Sequence, residues 1–258
     1  MIYFVIPAYD EAPNVERLFE RLTPVAKELG ARVVVVDDGS SDGTAELVLR
    51  HGTGVDLELV QHRENRGLGA AMRTGLETVL AQAGPDDPIV TMEADTTSDL
   101  GDLGAMLARF DEGYDVVLAS VHAPGGRLIG VAGWRVFASK ALSSCFRVLP
   151  GLRHIHTVSA VYRIYRPSAL RRLSIQLGDG LIREAGFGVN AELLLKLADD
   201  GAKVCEVPTT NDWTTRGGES KLQTGKTLQA YGRLLAGHLS GRLYAPAASA
   251  SFRGIQHL

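Results

Sequence analysis

Short apolar runs alternate along the chain with longer stretches that are apolar on one face only. The runs at 2–6, 33–36, 55–60, 89–92 and 114–119 read as strands from their length and their β-branched or aromatic content. Pro7 is expected to stop the first. The unbroken valines at 33–36 suit a strand buried on both faces of a parallel sheet. Between the runs, Val15, Leu18, Phe19 and Leu22 fall at helical spacing, as do Leu100, Leu103, Met106, Leu107 and Phe110, and 44–50 and 67–80 are also helical. This β-α-β-α-β order predicts an α/β protein with a mostly parallel sheet and right-handed crossovers. Further on, 130–147 reads as an amphipathic helix carrying Trp134, Val136, Phe137, Leu142 and Phe146. A strand is expected through 154–166, a helix opening at 186, a final strand at 203–207 and a long helix at 222–244. From Ala245 the chain reads as a disordered tail.

The acids sit where such a sheet would use them. Asp37 and Asp38 follow the valine run, Gly39 turns the backbone, and Asp42 stands at a helix N-cap position. Glu93-Ala94-Asp95 ends another apolar run. Carboxylates at two strand ends imply either mutual repulsion or a shared cation, and oxygen ligands suit Mg²⁺ or Mn²⁺ completed by substrate phosphates. Open α/β sheets bind ligands at the carboxyl ends of their strands.

Length and charge narrow the classes. The 258 residues suit one domain, or one with a C-terminal extension. Lys and Arg number 27 against 30 Asp and Glu, a balance that argues against nucleic acid as main partner. Cys145 and Cys205 lack metal-ligand spacing, and a reduced, cytoplasmic setting is the default expectation. The first seven residues lack signal-peptide features. No apolar run reaches the roughly 20 residues that span a bilayer.

Several motifs occur in a telling order: Val5-Ile-Pro7-Ala-Tyr9-Asp-Glu11, Val-Val-Asp37-Asp38-Gly-Ser-Ser-Asp-Gly-Thr, Asn65-Arg-Gly67-Leu-Gly69, the acid-Ala-Asp triplet, Glu206-Val-Pro208 and Gly218-Glu-Ser-Lys221-Leu. Together they resemble the inverting nucleotide-sugar glycosyltransferases of the GT-A type, family 2, and within it the dolichyl- and polyprenyl-phosphate sugar transferases. The resemblance implies a GT-A, Rossmann-like domain over 1–220, followed by a C-terminal helix and tail over 221–258. It implies that Pro7, Tyr9 and Glu11 line a nucleotide pocket, that Asp37 holds the nucleoside above Val35, and that Asp38, Gly69 and Ala94 lie along the donor. Asp95 would be the metal ligand, helped by Glu93 and, weakly, by the Thr97 hydroxyl. Arg216 and Lys221 would close a basic lid over the diphosphate, and Glu192 would be an inward acid near the acceptor.

The chain also departs from that pattern. Glu93 replaces an aspartate, Thr157 stands near an expected acid, and Val121-His122 replace an arginine for which Arg127 or His122 can substitute. His154 and His156 alternate on the expected strand and admit a metal reading. The implied donor is GDP-mannose or UDP-glucose. The acceptor is either a polyprenyl phosphate, which needs no strong base, or a sugar hydroxyl, for which Glu192 is the candidate base. Attachment at the cytoplasmic face of a membrane, peripherally, through a partner subunit or as a homodimer, follows from the lipid reading. Nucleotidyl transfer and a non-catalytic nucleotide-sugar-binding subunit are the competing classes.

Overall fold

The structure is a computed structural model that describes residues 1–218 and 224–241. The helix expected at 222–244 is described as Thr224–Leu239, whereas Lys221 and the tail from Ala245 lie outside the described residues.

The chain runs β1 (Tyr3–Ala8), α1 (Ala12–Glu28), β2 (Arg32–Asp37), α2 (Thr44–His51), β3 (Asp56–Gln61), α3 (Leu68–Leu80) and β4 (Ile89–Thr91). It continues with α4 (Leu103–Asp111), β5 (Val116–Ser120), β6 (Arg127–Ile129), α5 (Gly133–Phe146), β7 (Arg163–Tyr165), α6 (Pro167–Leu177) and α7 (Val189–Asp199). β8 (Val204–Pro208), β9 (Thr210–Asp212) and α8 (Thr224–Leu239) complete it. A seven-stranded sheet has the order β3-β2-β1-β4-β7-β5-β8. All its pairings are parallel except those of β7, which is antiparallel to both β4 and β5. β6 and β9 form a small separate sheet.

The valine run explains the layering. Val34 and Val36 enter one apolar core with α3, α6, α7 and α8, while Val33 and Val35 enter the other with α1, α2 and α4. Successive side chains of a strand point to opposite faces, so unbroken apolarity here requires helices on both sides.

β1 outlasts Pro7 and ends at Ala8, for a geometric reason. Val5 O accepts from Met92 N on the β4 side and Ala8 O accepts from Asp38 N on the β2 side. Alternation along the strand turns Pro7 toward β4, which already ended opposite Val5, so no ladder bond is lost at the proline. The segment expected as a strand from His154 is irregular until Arg163. Its histidines are tied elsewhere, His154 Nε2 2.8 Å from Val204 O and His156 Nδ1 2.9 Å from Glu206 Oε2.

Candidate active site

β1 is followed to one side by β2 and β3, and the chain then crosses to β4 on the other side. The carboxyl ends of β1 and β4 therefore flank a topological switch point, where such sheets leave a crevice. A cavity of about 360 Å³ lies there. Pro7 lines it from β1, Tyr9 and Glu11 from the turn between β1 and α1, Asp38 from the end of β2, Glu93, Ala94 and Asp95 from the end of β4, and Arg216 from the segment after β9. These are eight of the residues expected at the site, and the fold brings them together.

Turn geometry holds the acids in place. Thr97 donates from N (3.1 Å) and Oγ1 (2.7 Å) to Asp95 Oδ1, and Thr96 between them adopts φ +65°. Asp10 is likewise held at φ +47°. Such conformations are costly for residues with a Cβ and persist only where neighbours enforce them. Here Arg21 of α1 straps the loop by donating to Thr96 O and Ser98 O. Glu93 Oε2 accepts from Ser98 Oγ at 2.8 Å. Burial, then the charge of Asp95, raises the Glu93 carboxyl to about 7.

Arg216 Nη1 lies 3.1 Å from Asp95 Oδ2 and its Nη2 3.9 Å from Glu11 Oε1. The buried Asn14 joins the same knot, donating to Glu11 Oε2 (2.5 Å) and Gly217 O (3.1 Å) and accepting from Gly217 N (2.7 Å). Thr215 and Thr96 exchange hydroxyl-to-carbonyl bonds. The segment carrying Arg216 is thus fastened over the acids by α1 and by the loop after β4.

Glu93 and Asp95 present hard oxygen donors in like-charge proximity, a set that suits Mg²⁺ or Mn²⁺. Among the described residues no three His, Cys, Asp or Glu side chains converge as a metal cage, so further ligands would come from substrate and water. Thr97 lines the same cavity, where its hydroxyl donates to Asp95 Oδ1 and accepts from Asn211 Nδ2 at 3.3 Å, which orients Asp95.

Other expected residues stand away from the cavity. Val35 is fully buried in the sheet. Asp37 caps the turn after β2, accepting from Ser40 N at 3.2 Å, and it is Asp38 that reaches the cavity wall. Asp38 itself is occupied by His62 Nδ1 (2.6 Å), Arg66 N (3.0 Å) and Gly67 N (2.7 Å). Gly69 admits a neighbouring backbone rather than a ligand: a Cβ there would collide with Glu184 O, and Gly69 N donates to Ala185 O. Arg127 is exposed on β6 while its neighbour Leu128 lines the cavity, so alternation turns the arginine away.

Glu192 is fully buried on α7 and is not part of the cavity wall. It accepts from Arg183 N and Glu184 N (2.9 Å each) and pairs with buried Lys196 at 2.5 Å. Lys196 also donates to Gly180 O and Leu181 O. The pair anchors the 178–188 segment, whose Phe187 lines the cavity and whose backbone contacts Gly69.

The sequence reading passed over Arg135. It lines the cavity from α5, with its guanidinium 5.7 Å from the Trp213 ring centroid and 5.8 Å from that of Trp134. Ser139, one turn later, and Leu142 line the same wall, so an i, i+4, i+7 stripe starting at a cation was the available signal. With α8 and β6 this wall is largely apolar, through Val121, Leu128, Val131, Phe187, Leu228 and Tyr231.

A mostly parallel α/β sheet with acids at the switch point and a basic segment fastened across them defines the GT-A class of glycosyltransferase. Glucosyl-3-phosphoglycerate synthase from Mycobacterium tuberculosis superposes on 96% of this chain and 81% of its own, with TM-score 0.66 and 18% identity, a likeness of fold. Complexes of that enzyme contain Mn²⁺ with uridine diphosphate. The chain belongs to glycosyl transferase family 2, whose model matches residues 3–173, and is a glycosyltransferase. Polyprenol monophosphomannose synthase of Mycolicibacterium smegmatis is 30% identical over 245 residues, covering 93% of this chain and 87% of that protein. Dolichol-phosphate mannosyltransferase of Pyrococcus furiosus is 30% identical over 88% of this chain and 60% of its own length. Undecaprenyl-phosphate mannosyltransferase of Micrococcus luteus is 30% identical over 86% and 87%.

Proposed function

We propose that the protein transfers a hexose, mannose from GDP-mannose being favoured, to a polyprenyl phosphate with inversion at the anomeric carbon. The observation that carries the acceptor is the composition of the α5, β6 and α8 part of the cleft. It is largely apolar, and Arg135 is its one charged side chain among the described residues. An isoprenoid chain with a phosphate head needs such a wall, whereas a sugar acceptor asks for hydrogen-bonding groups and a base. The base proposed for a hydroxyl acceptor, Glu192, is taken up by Lys196. The activities named for the relatives support the same choice.

In this reading Pro7, Tyr9 and Glu11 bound the nucleoside side of the cleft. Glu93 and Asp95 hold Mg²⁺ or Mn²⁺, which when bound supplies Lewis-acid neutralisation of the diphosphate. Arg216 adds a fixed cation beside the leaving group. The acceptor phosphate has a second pKa of about 6 and attacks as its dianion without a general base. Its oxygen bonds to the anomeric carbon as the bond to the donor diphosphate breaks, the electron pair leaving on the nucleoside diphosphate. Arg135 steers the incoming phosphate, and the apolar wall keeps out the water that would hydrolyse the donor.

No helix among the described residues is long and apolar enough to cross a membrane. Trp134 (61% exposed) and Phe137 (74%) project from α5 beside the acceptor wall. Aromatic residues beside a cation suit a helix lying in the headgroup layer, which supports peripheral attachment at a membrane surface.

The test is transfer of labelled sugar from GDP-mannose, and separately from UDP-glucose, to polyprenyl phosphate in detergent with Mn²⁺, read as label entering the organic phase. Activity with one donor supports the reading and fixes the base. Transfer only to a water-soluble phosphorylated acceptor would overturn the lipid part and leave the transferase.

A further inference from the structure

We propose that His122 is a positioning residue for the acceptor: its ring donates from Nε2 to Ser139 Oγ, so that the serine turns its own proton into the cleft, toward a phosphate oxygen. The proposal rests on the acceptor reading above and gives one polar group of that wall a direction.

The geometry is specific. His122 Nε2 lies 2.9 Å from Ser139 Oγ. The backbone on either side of the ring is pinned: His122 N donates to Thr157 Oγ1 (3.3 Å), Ala123 N donates to Ser120 Oγ (3.1 Å), and the two hydroxyls lie 2.8 Å apart. Ser139 lines the cavity and His122 does not, so the ring acts from behind the wall. Arg135, four residues before Ser139 on α5, lines the same wall. A cation and a hydroxyl thus stand one turn apart on one helix face, which suits two oxygens of one phosphate.

A serine hydroxyl has a single proton. If Ser139 donates it to an unprotonated Nε2, only lone pairs face the cleft and an anion is repelled. If Nε2 carries a proton and donates, the serine proton is released toward the anion. The second arrangement needs only the neutral ring in its Nε2–H form. That matters, because burial and the neighbouring Lys140 hold the His122 pKa below its ordinary value, with Glu206 opposing and His156 adding to the effect. The anion would then be met by Arg135 and by a hydroxyl aimed through histidine.

Acceptor kinetics with a polyprenyl phosphate in detergent micelles, at saturating nucleotide sugar, test this on wild type, His122→Ala, Ser139→Ala, the double variant and His122→Gln. Each alanine variant is expected to raise the acceptor KM about tenfold, with kcat changed by no more than about twofold, as for loss of one hydrogen bond to a charged group. The double variant should be no worse than Ser139→Ala alone, since His122 acts only through that hydroxyl. His122→Gln, whose amide nitrogen reaches the Nε2 position, should stay within about threefold of wild type, as a retained donor requires. Donor KM should not move in any variant. Additive effects, an unmoved acceptor KM in His122→Ala, or equal losses in the alanine and glutamine variants would each overturn the proposal. Wild type that transfers to no polyprenyl phosphate overturns the acceptor reading and this proposal with it. Transfer by wild type with an unmoved KM in His122→Ala overturns the role of His122 alone.

Discussion

Arg216 and Asp95 are ion-paired, Nη1 to Oδ2 at 3.1 Å, in the crevice between the ends of β1 and β4. Both side chains are nearly buried, at 11% and 12% exposure, so water screens the pair weakly. The same carboxylate is the proposed ligand of a divalent cation. Guanidinium and metal ion therefore draw on one charge until a donor diphosphate brings enough negative charge for both.

Removing that guanidinium should separate binding from catalysis. In Arg216→Ala, Mn²⁺ binding without nucleotide is expected to tighten by about threefold to tenfold, because a partly screened ion pair no longer competes for Asp95. Turnover should fall by about 10²-fold or more, as when a preorganised charge beside a leaving group is lost. Manganese titration followed by paramagnetic resonance, alongside steady-state kinetics, checks both. Unchanged metal affinity would mean the pair does not compete with the cation.

Glu192 provides a second division between structure and chemistry. Glu192→Gln leaves Lys196 with a buried charge facing an amide and should destabilise the fold by about 3–5 kcal/mol. Turnover by the fraction that remains folded should fall less than tenfold, well short of the roughly 10²–10⁴ expected on losing a general base. A Glu192→Leu, Lys196→Met double variant should regain only part of that stability, since both charges leave the core together but the backbone groups of Gly180, Leu181, Arg183 and Glu184 lose their partners. A loss of turnover with the melting temperature preserved would return Glu192 to the chemistry.

The fate of these residues shows which parts of the molecule were legible in sequence. The sheet was, because four valines in a row can be satisfied only between two helical layers, and both layers are there. The acids at strand ends were, because strand polarity places every parallel carboxyl end on one edge. Strands β6 and β9 were not: each has three residues, and neither buries a full side. Helix α6 was also missed, since Arg171 and Arg172 interrupt its apolar face of Ala169, Leu170 and Leu173. Gly69 and Glu192 are instructive together. One accommodates the backbone that the other anchors, and nothing local to Gly69 announces a partner more than a hundred residues away.

Glu93 should make metal binding depend on pH. Its carboxyl is raised from 4.5 to about 7, by burial first and by Asp95 second. Below about 7 a cation must displace a proton, so affinity rises with pH by up to about tenfold per unit and levels off above it. Folding follows the opposite sign. The native state holds this proton more tightly than the unfolded chain, so in chelator the contribution is present below about 4.5 and is lost as pH rises through about 7. In Glu93→Gln both slopes should flatten. Manganese titrations and thermal melts between about pH 5 and 8 report them.

The exposed face of α5 yields the last prediction. Trp134 and Phe137 lie one turn apart, 61% and 74% exposed, and Lys140 follows at the next turn. An aromatic pair over a cation is costly to leave in water and is well matched to the headgroup layer of an anionic membrane. Trp134→Ser with Phe137→Ser should therefore lower binding to vesicles containing anionic lipid by about 10-fold to 100-fold, from the apolar area withdrawn. Nucleotide-dependent stabilisation should be unchanged, because neither side chain lines the cleft. Transfer to a polyprenyl phosphate embedded in vesicles should fall with vesicle binding, while transfer to a short-chain analogue in solution should not. Flotation assays and paired kinetics distinguish the cases. Equal loss on both acceptors would mean that the aromatic pair supports the acceptor wall from outside rather than bringing it to a membrane.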